Sequence, residues 1–419
     1  MEIPMRDLVQ PMLLITLLTL LLAAGTATAQ SGDLDESWPD WVREGMEKEI
    51  RKLKPRRVKM PVASISTMLP GKSEAPQAIE DGWYFISDIE AGSPLECYIY
   101  NTSLDLGSLT NLLANNNIAA VAQGSGGTVG VRNIHYADAG VVAGHPYLAL
   151  EWIYTVITGE QVQIGFTKVR VAIKGDMAFA CTHNYLGYRD TFARAFSGFV
   201  ENTDYKVAAP APYYEEVARL DYNGFGAGVI YFSLSEDEEG DIRAFSTETS
   251  IMPVDSSTLM TSDGITITYT KPDGELINTL NVSVENGEIV SNLSLRRNEA
   301  DAWISGGTLQ GKEIAVELDG AISPASELRL LTTARDLFAG TETSATLDVW
   351  VPSADPTQFL QTTLTRADSE IKGRANVTLG PMSYDGTFDE YGNMEDALMS
   401  MGPVQINIER VWSKGVPEL

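Results

Sequence analysis

The stretch ITITYTKPDGELINTLNVSVENGEIVSNLSL at residues 265–295 decides the fold class of this chain. Apolar and β-branched residues alternate with polar ones over short segments, which is the spacing of strands with one buried face. Asp273-Gly274 and Asn286-Gly287 separate those segments, and such pairs favour the tight turns of antiparallel hairpins. The stretch therefore predicts a meander of antiparallel strands.

The same pattern extends in both directions, so we expect residues 217–419 to form one large antiparallel β domain. Segments such as GVIYFSLS, EIAVELDG, ATLDVWV and VQINIERVW have the length and composition of strands. One helix is expected from Ala325 to Phe338, where SELRLLTTARDLF is periodic. The sheet is expected either to curl into a half-barrel or to pair as a sandwich.

Residues 61–205 mix strands with helices and predict an antiparallel α/β sandwich, so the fold class of the whole chain is α+β. Strand candidates include GWYFISDI, LECYIYN, YLALEWIYTVI and QIGFTKVRVAIKG. A helix at 104–118 should bury one face, formed by Leu106, Leu109, Leu112 and Leu113. A second helix at 188–201 carries Phe192, Phe196 and Phe199 at helical spacing. A Pro- and Ala-containing linker at 206–216 is expected to join the two domains.

Both domains resemble known families in part. The meander at 147–181, with ALEWIYTV and TKVRVAIKGDMAFACT, and the helix YRDTFARAFSGFV at 188–200 resemble the PsbP-like α/β sandwich. The segment SYDGTFDEYGNMEDALMSMGPVQINIERVW resembles the LolA-type periplasmic half-barrels, which hold lipid in an apolar concavity. The first resemblance implies binding rather than catalysis, and the second implies an apolar ligand.

The amino terminus predicts export. Residues 12–24 run MLLITLLTLLLAA without a charge, and Ala27-Thr28-Ala29 precedes Gln30. This order is typical of a secretory signal peptide, and the apolar run is shorter than the ~20 residues that span a bilayer. We expect residues 1–29 to be removed between Ala29 and Gln30, which leaves the mature protein in the periplasm or outside the cell.

Residues 30–60 contain a basic segment in an otherwise acidic chain. WPDWVREGMEKEIRKLK has apolar residues near helical spacing and predicts an amphipathic helix followed by a short linker. Two interpretations are open. The helix packs on the acidic body of the protein, or it makes a peripheral contact with a membrane or a protein partner through Arg51, Lys52, Arg56 and Arg57.

Charge and missing motifs exclude several functions. The chain carries 57 acidic against 30 basic side chains, a formal charge of −27, which repels phosphate backbones and argues against nucleic acid as a partner. No G-x-S-x-G, H-E-x-x-H, EF-hand or complete P-loop motif occurs. The sequence therefore predicts no catalytic residue, no cofactor and no metal site.

The two cysteines, Cys97 and Cys181, lie on predicted strands of the same domain. In an oxidising compartment two lone cysteines tend to pair, so we predict a disulfide between them. Two separate buried thiols are the alternative, since Cys also behaves as a small core residue. A Cys181–His183 dyad on one strand face is a further alternative that a disulfide would exclude.

Three functional hypotheses follow. The leading one is an exported, non-catalytic envelope protein that binds an apolar ligand or a protein partner. The second is a periplasmic hydrolase with a site assembled from scattered residues such as His183, Asp190 and Glu151. The third is a structural partner that docks to a membrane complex through the helix at 41–57. The sequence favours the absence of enzymatic activity without deciding it.

Overall fold

A computed structural model describes residues 38–60, 66–90, 92–101, 105–175, 177–203, 211–223, 225–254, 258–380, 382–401 and 404–417. The predicted signal peptide, with its cleavage site between Ala29 and Gln30, lies outside these residues. Residues 206–210 of the predicted linker also lie outside them. Within the described ranges, no helix has the length and hydropathy needed to span a membrane.

Residues 38–203 form two sheets and three of the helices. The helices are α1 (Asp40–Met46), α2 (Leu106–Gly124) and α3 (Arg189–Glu201). Strands β1 (Pro55–Lys59) and β2 (Ser66–Pro70) pair with each other. A seven-stranded antiparallel sheet, here called the small sheet, has the order β3-β4-β5-β9-β8-β7-β6. Its strands are β3 (Gln77–Ile79), β4 (Gly82–Glu90), β5 (Ser93–Asn101), β6 (Thr128–Val142), β7 (His145–Thr158), β8 (Gln161–Lys174) and β9 (Met177–His183).

Residues 214–415 form one antiparallel sheet of 14 strands, here called the large sheet, and helix α4 (Glu327–Ala339). Its strands are β10 (Tyr214–Tyr222), β11 (Phe225–Glu236), β12 (Ile242–Pro253), β13 (Leu259–Thr270), β14 (Leu276–Glu285), β15 (Glu288–Arg297), β16 (Trp303–Leu309), β17 (Lys312–Leu318), β18 (Ser344–Val349), β19 (Leu360–Arg366), β20 (Arg374–Leu379), β21 (Met382–Phe388), β22 (Met394–Met401) and β23 (Val404–Gly415). The predicted large antiparallel β structure is confirmed.

Tight turns make this sheet a meander. Asn286 and Gly287 both have positive φ, 51° and 83°, between β14 and β15. That is the backbone of the two-residue hairpin turn that Asn-Gly favours. The sequence prediction from residues 265–295 is therefore confirmed at this hairpin.

The strand order forces the large sheet to curl. It runs β17 to β10 and then β23 to β18, so consecutive strands β17 and β18 lie at opposite edges. Residues 319–343 connect these edges through α4, which has 13 residues and is therefore about 20 Å long. Ala325 forms a bridge with Glu275 beside β14, and its N–H donates to the Asp348 carbonyl of β18 at 2.7 Å. Strands β17 and β18 do not pair with each other, so among the described strands the sheet stays open.

Helices α2 and α3 lie on opposite faces of the small sheet. Phe192, Phe196 and Phe199 of α3 pack on the face that carries Cys97 and Cys181, as the sequence predicted for this helix. Helix α2 packs on the other face and also contacts β12 and β13 of the large sheet. It therefore lies between the two sheets. The sandwich detail proposed for residues 61–205 goes beyond this arrangement and is not confirmed.

The amphipathic helix predicted at 41–57 is confirmed only as far as Met46 and is wrong beyond it. Helix α1 ends at Met46, and residues 47–54 have no regular structure. Tertiary contacts explain the difference. The Glu49 carboxylate accepts hydrogen bonds from the backbone N–H groups of Asp190 and Thr191 at 2.9 and 2.8 Å, which satisfies orphan donors at the start of α3. An extended segment reaches that helix end, whereas a helix continued to residue 57 would not.

The basic side chains of this segment do not lie on one face of a helix. Arg51 and Lys52 lie in the irregular segment, and Arg56 and Arg57 lie on β1. All four are exposed. A peripheral contact through these four side chains would therefore not use a helix, and the contact itself stays a prediction.

The prediction for α2 is correct in kind and wrong in extent. The helix continues to Gly124 instead of ending near 118, and its described start is Leu106. Leu106 and Leu109 are buried, but Leu112 is 45% exposed. The buried face instead continues through small residues, Ala114 and Ala122, because the helix is covered by sheets on two sides and needs close approach there.

Candidate functional site

The concave face of the large sheet encloses a cavity of about 410 Å³, here called the sheet cavity. Strands β10–β14 form one wall and strands β19–β23 the facing wall, while α4 and residues 349–352 complete the lining. Helix α4 packs against both walls, beside β10–β12 through Leu328 and beside β18 and β19, without filling the space between them.

Strand alternation decides which side chains enter the cavity. On β12, Ser246 and Glu248 point into it, whereas Thr249 points to the convex face and contacts α2. On β13, Thr266 and Thr268 point inward. One face of these strands therefore lines the cavity, and the other face packs against α2.

Polar side chains are concentrated on one part of the first wall, while β10 and β11 of that wall also contribute the apolar Ala218, Ile230 and Phe232. Strands β12–β14 contribute mainly polar side chains, including Ser246, Glu248, Thr266, Asn281 and Ser283. The facing wall and α4 contribute mainly apolar side chains, including Leu331, Leu364, Val377, Met382, Met399 and Ile408. This division is a property of the whole cavity and is not visible in any single strand.

Three carboxyl groups lie in the lining of the cavity. Glu216, Glu248 and Glu327 line it, and no Lys, Arg or His does so within the described residues. Glu216 accepts a hydrogen bond from the Tyr214 hydroxyl at 2.6 Å and lies 3.6 Å from the Arg410 guanidinium. Glu327 accepts one from the Thr268 hydroxyl at 3.0 Å. Two of the three carboxyls are thus held by protein groups.

Glu248 differs from the other two carboxyls. None of the hydrogen bonds between described residues reaches its carboxyl group. Burial against the sheet raises the pKa of Glu248 to about 8, because desolvation disfavours the charged form. This shift favours the protonated form near neutral pH, in which the carboxyl offers both a donor and an acceptor to the cavity.

Sequence reasoning missed Glu248 because it did not identify β12 as a strand. The segment IRAFSTETSIMP at 242–253 has few branched apolar residues and many small polar ones, so its alternation of faces is weak. A glutamate at an inward position would have been the available signal. The inward orientation of Glu248 can be recognised only when the register of β12 with its neighbouring strands is known.

The predicted disulfide is confirmed. Cys97 and Cys181 are directly opposite each other on β5 and β9, with an S–S distance of 2.01 Å. Both side chains are fully buried beside Phe85, Phe179 and Phe199. The bridge removes the alternative of two separate thiols and that of a Cys181–His183 dyad.

The residues proposed for a scattered hydrolase site make other contacts. Glu151 binds Arg189 through two guanidinium nitrogens at 2.9–3.1 Å, and the Asp190 side chain is exposed. His183 Nε2 lies 2.8 Å from the Ser93 hydroxyl, a pairing that the sequence analysis did not anticipate. Burial lowers the pKa of His183 to about 3, and such an imidazole is a weak base for activating serine. This geometry gives the hydrolase hypothesis no support.

Comparisons with known proteins do not assign the chain to a family. No family model and no curated protein matches it. Among solved structures, a β-barrel-like protein of the domain of unknown function DUF1849 from Brucella abortus is similar, with a TM-score of 0.39 and 13% identity over 49% of this chain and 99% of that chain. A DUF1089 family protein from Pseudomonas aeruginosa has a TM-score of 0.26 and 12% identity over 46% of this chain and 93% of that chain. The comparisons give the PsbP-like and LolA-type resemblances no support.

Proposed function

We propose that this chain is an exported, non-catalytic envelope protein that holds an apolar ligand in the sheet cavity. The cavity carries the proposal, because its volume of about 410 Å³ falls in the ~300–1,000 Å³ range of small-molecule sites. Its apolar wall would remain hydrated in an empty protein. A ligand that covers this wall gains roughly 25 cal/mol for each Å² of apolar surface removed from water.

The rest of the chain supports this assignment by its organisation. The disulfide accords with an oxidising compartment and with the signal peptide predicted at residues 1–29. In this proposal, residues 61–205 form a rigid platform and residues 217–419 hold the ligand. Helix α2 joins the two, since it packs on both sheets.

A cavity-filling substitution tests the proposal. Gly264 of β13 lines the cavity, and a Cβ added there would meet only atoms of Glu248 at 3.9 Å. Gly264→Leu should therefore occupy ligand space without a backbone clash. We expect the neutral apolar dye N-phenyl-1-naphthylamine to bind the wild type saturably, and Gly264→Leu to weaken binding at least about tenfold, equivalent to about 1.4 kcal/mol.

Gly306→Leu is the matched control. Gly306 lies on β16 of the same sheet, has similar free space beside its Cβ position and does not line the cavity. Its variant should bind the dye within about twofold of the wild type. The proposal is wrong if the wild type shows no saturable binding, or if both leucine variants weaken binding equally.

A further inference from the structure

The opposed walls of the sheet cavity restrict the chemistry of its occupant. We infer that the ligand is an uncharged amphiphile, with a hydroxyl- or carbonyl-bearing head against β12–β14 and an alkyl chain against β19–β23 and α4. This inference rests on the proposed function and specifies its ligand class.

The polar wall is organised in two adjacent rows across three strands. Ser246, Thr266 and Asn281 are paired in register across β12, β13 and β14. Glu248, Gly264 and Ser283 form the next row. Because Gly264 has no side chain, a gap opens between Glu248 and Ser283. A ligand head placed in this gap would reach the Glu248 carboxyl without displacing a protein side chain.

The charge of the lining selects against ionic heads. An anionic head would enter a cavity that holds three carboxyl groups and, among the described residues, no lining cation. A cationic head would require Glu248 to ionise, and burying both charges costs more than their attraction returns unless further hydrogen bonds compensate. A neutral hydroxyl avoids both penalties. It can accept from and donate to a protonated carboxyl.

Other titratable groups around Glu248 do not change this preference. Glu216 is paired with Arg410, Glu327 is hydrogen bonded to Thr268, and the Tyr384 phenol lies on the facing wall. Tyr222 of β10 is the remaining titratable neighbour, and burial raises its pKa well above the usual value. Burial likewise raises the pKa of Glu248 to about 8, which favours an uncharged head-binding wall at pH 7.

The volume of the cavity sets the length of the chain. At the ~30 Å³ that one water molecule occupies in the liquid, about 410 Å³ holds roughly 14 groups of that size. An alkyl chain of about ten carbons with a small head fits this space. Decan-1-ol, decanoate and decylamine therefore form a matched series in which only the head changes.

Calorimetric titration of the full mature chain with these three ligands at pH 7 tests the inference. We expect decan-1-ol to bind at least about tenfold more tightly than decanoate and decylamine. Equal or tighter binding of either ion would overturn the neutral-head inference and leave the proposed function standing. If none of the three binds and the apolar dye also fails, the proposed function itself is wrong.

Variants of Glu248 test the role of the carboxyl. Glu248→Gln keeps a neutral donor and acceptor, so decan-1-ol should bind within about threefold of the wild type. Glu248→Leu removes both and should weaken binding about tenfold, while the apolar dye still binds and shows that the cavity is intact. Glu317→Gln, on the exposed face of β17, should change nothing.

A pH series distinguishes the ionisation of Glu248 from general effects of pH on the protein. At pH 9.5 Glu248 ionises in the wild type, so decan-1-ol should bind about tenfold more weakly than at pH 7. Glu248→Gln cannot ionise and should show no such loss. A parallel loss in both proteins would overturn the assignment of Glu248 as the head-binding group.

Discussion

At the residue scale, buried titratable side chains make the stability of this protein depend on pH in opposite directions. Burial lowers the pKa of His183 to about 3, below the ~6.5 of an unfolded histidine. Burial raises the pKa of Glu248 to about 8, above the usual carboxyl value. The contribution of His183 to stability therefore falls as the pH drops from about 6.5 to about 3, whereas that of Glu248 falls as the pH rises from about 4.3 to about 8.

His183 gives the sharper prediction. Between pH 6.5 and 3 the unfolded state binds more protons at this residue than the folded state, so stability falls as the pH falls. From pH 7 to 5 the loss is about 2 kcal/mol, at 1.36 kcal/mol per pKa unit. His183→Gln removes this contribution. In urea denaturation, the stability advantage of the wild type over the variant should shrink by about 2 kcal/mol between pH 7 and pH 5, and an unchanged advantage would contradict the prediction.

At the element scale, the pairing of β5 with β9 carries the one covalent link between strands in the described chain. The disulfide joins residues 84 positions apart, and the loop between them contains α2 and three strands of the small sheet. Such a link stabilises mainly by restricting the unfolded chain. Its position, in register and against the phenylalanines of α3, also places it in the centre of a packed core.

Removal of this link should cost more than an ordinary core substitution. The chain-entropy estimate for a loop of this length is about 4 kcal/mol. The double variant Cys97→Ala/Cys181→Ala should therefore lower the free energy of unfolding by about that amount, measured by denaturant titration under oxidising conditions. Thiol titration of the unfolded, unreduced wild type should detect no free thiol. A loss below about 1 kcal/mol would show that the link contributes little.

Helix α1 shows that the spacing of apolar residues does not by itself determine where a helix ends. The apolar spacing after Trp38 is real, and Val42 is fully buried, yet the helix stops at Met46. The Lys48 carbonyl accepts the Tyr188 N–H at 2.5 Å, and the Ile50 N–H donates to the Thr191 hydroxyl at 2.9 Å. Contacts with a helix 140 residues away in sequence outweigh the small propensity differences that favour helix continuation.

At the scale of the whole molecule, Asp263 holds the two sheets together through α2. Its carboxylate accepts hydrogen bonds from the N–H groups of Gly107 and Ser108 at 2.9 and 3.0 Å, at the start of α2. The Ser108 and Thr249 hydroxyls donate to it at 2.9 and 2.7 Å. A residue of β13 thus supplies the cap that α2 does not obtain from its own N-cap residue.

Asp263→Asn should weaken this junction. The substitution keeps the shape but removes the charge, and hydrogen bonds to a charged group contribute about 1.5–3 kcal/mol. We expect a loss of about 2–3 kcal/mol in the free energy of unfolding, measured by denaturant titration. Asp368→Asn, at an exposed position after β19, is the control and should change stability by less than about 0.5 kcal/mol. Equal effects of the two variants would refute the junction role.

The sequence by itself determined the local features of this protein. Alternating segments and Asn-Gly turns such as that at 286–287 predicted antiparallel strands, and the spacing of three phenylalanines predicted α3. The pairing of Cys97 with Cys181 also followed, because it required only two cysteines in one domain. The strands, turns and α3 depend on residues that are neighbours along the chain. The disulfide could be predicted because two cysteines allow only one intramolecular pairing.

The tertiary structure alone decided the course of the segment after Met46, the covering of α2 from two sides and the sheet cavity. Each depends on contacts between residues far apart in sequence, as between Glu49 and α3 or between Asp263 and α2. Glu248 becomes a cavity residue only because β12 holds a fixed register and α4 packs against both walls of the large sheet. Alternation along a strand defines two faces, but long-range packing decides which face encloses the cavity.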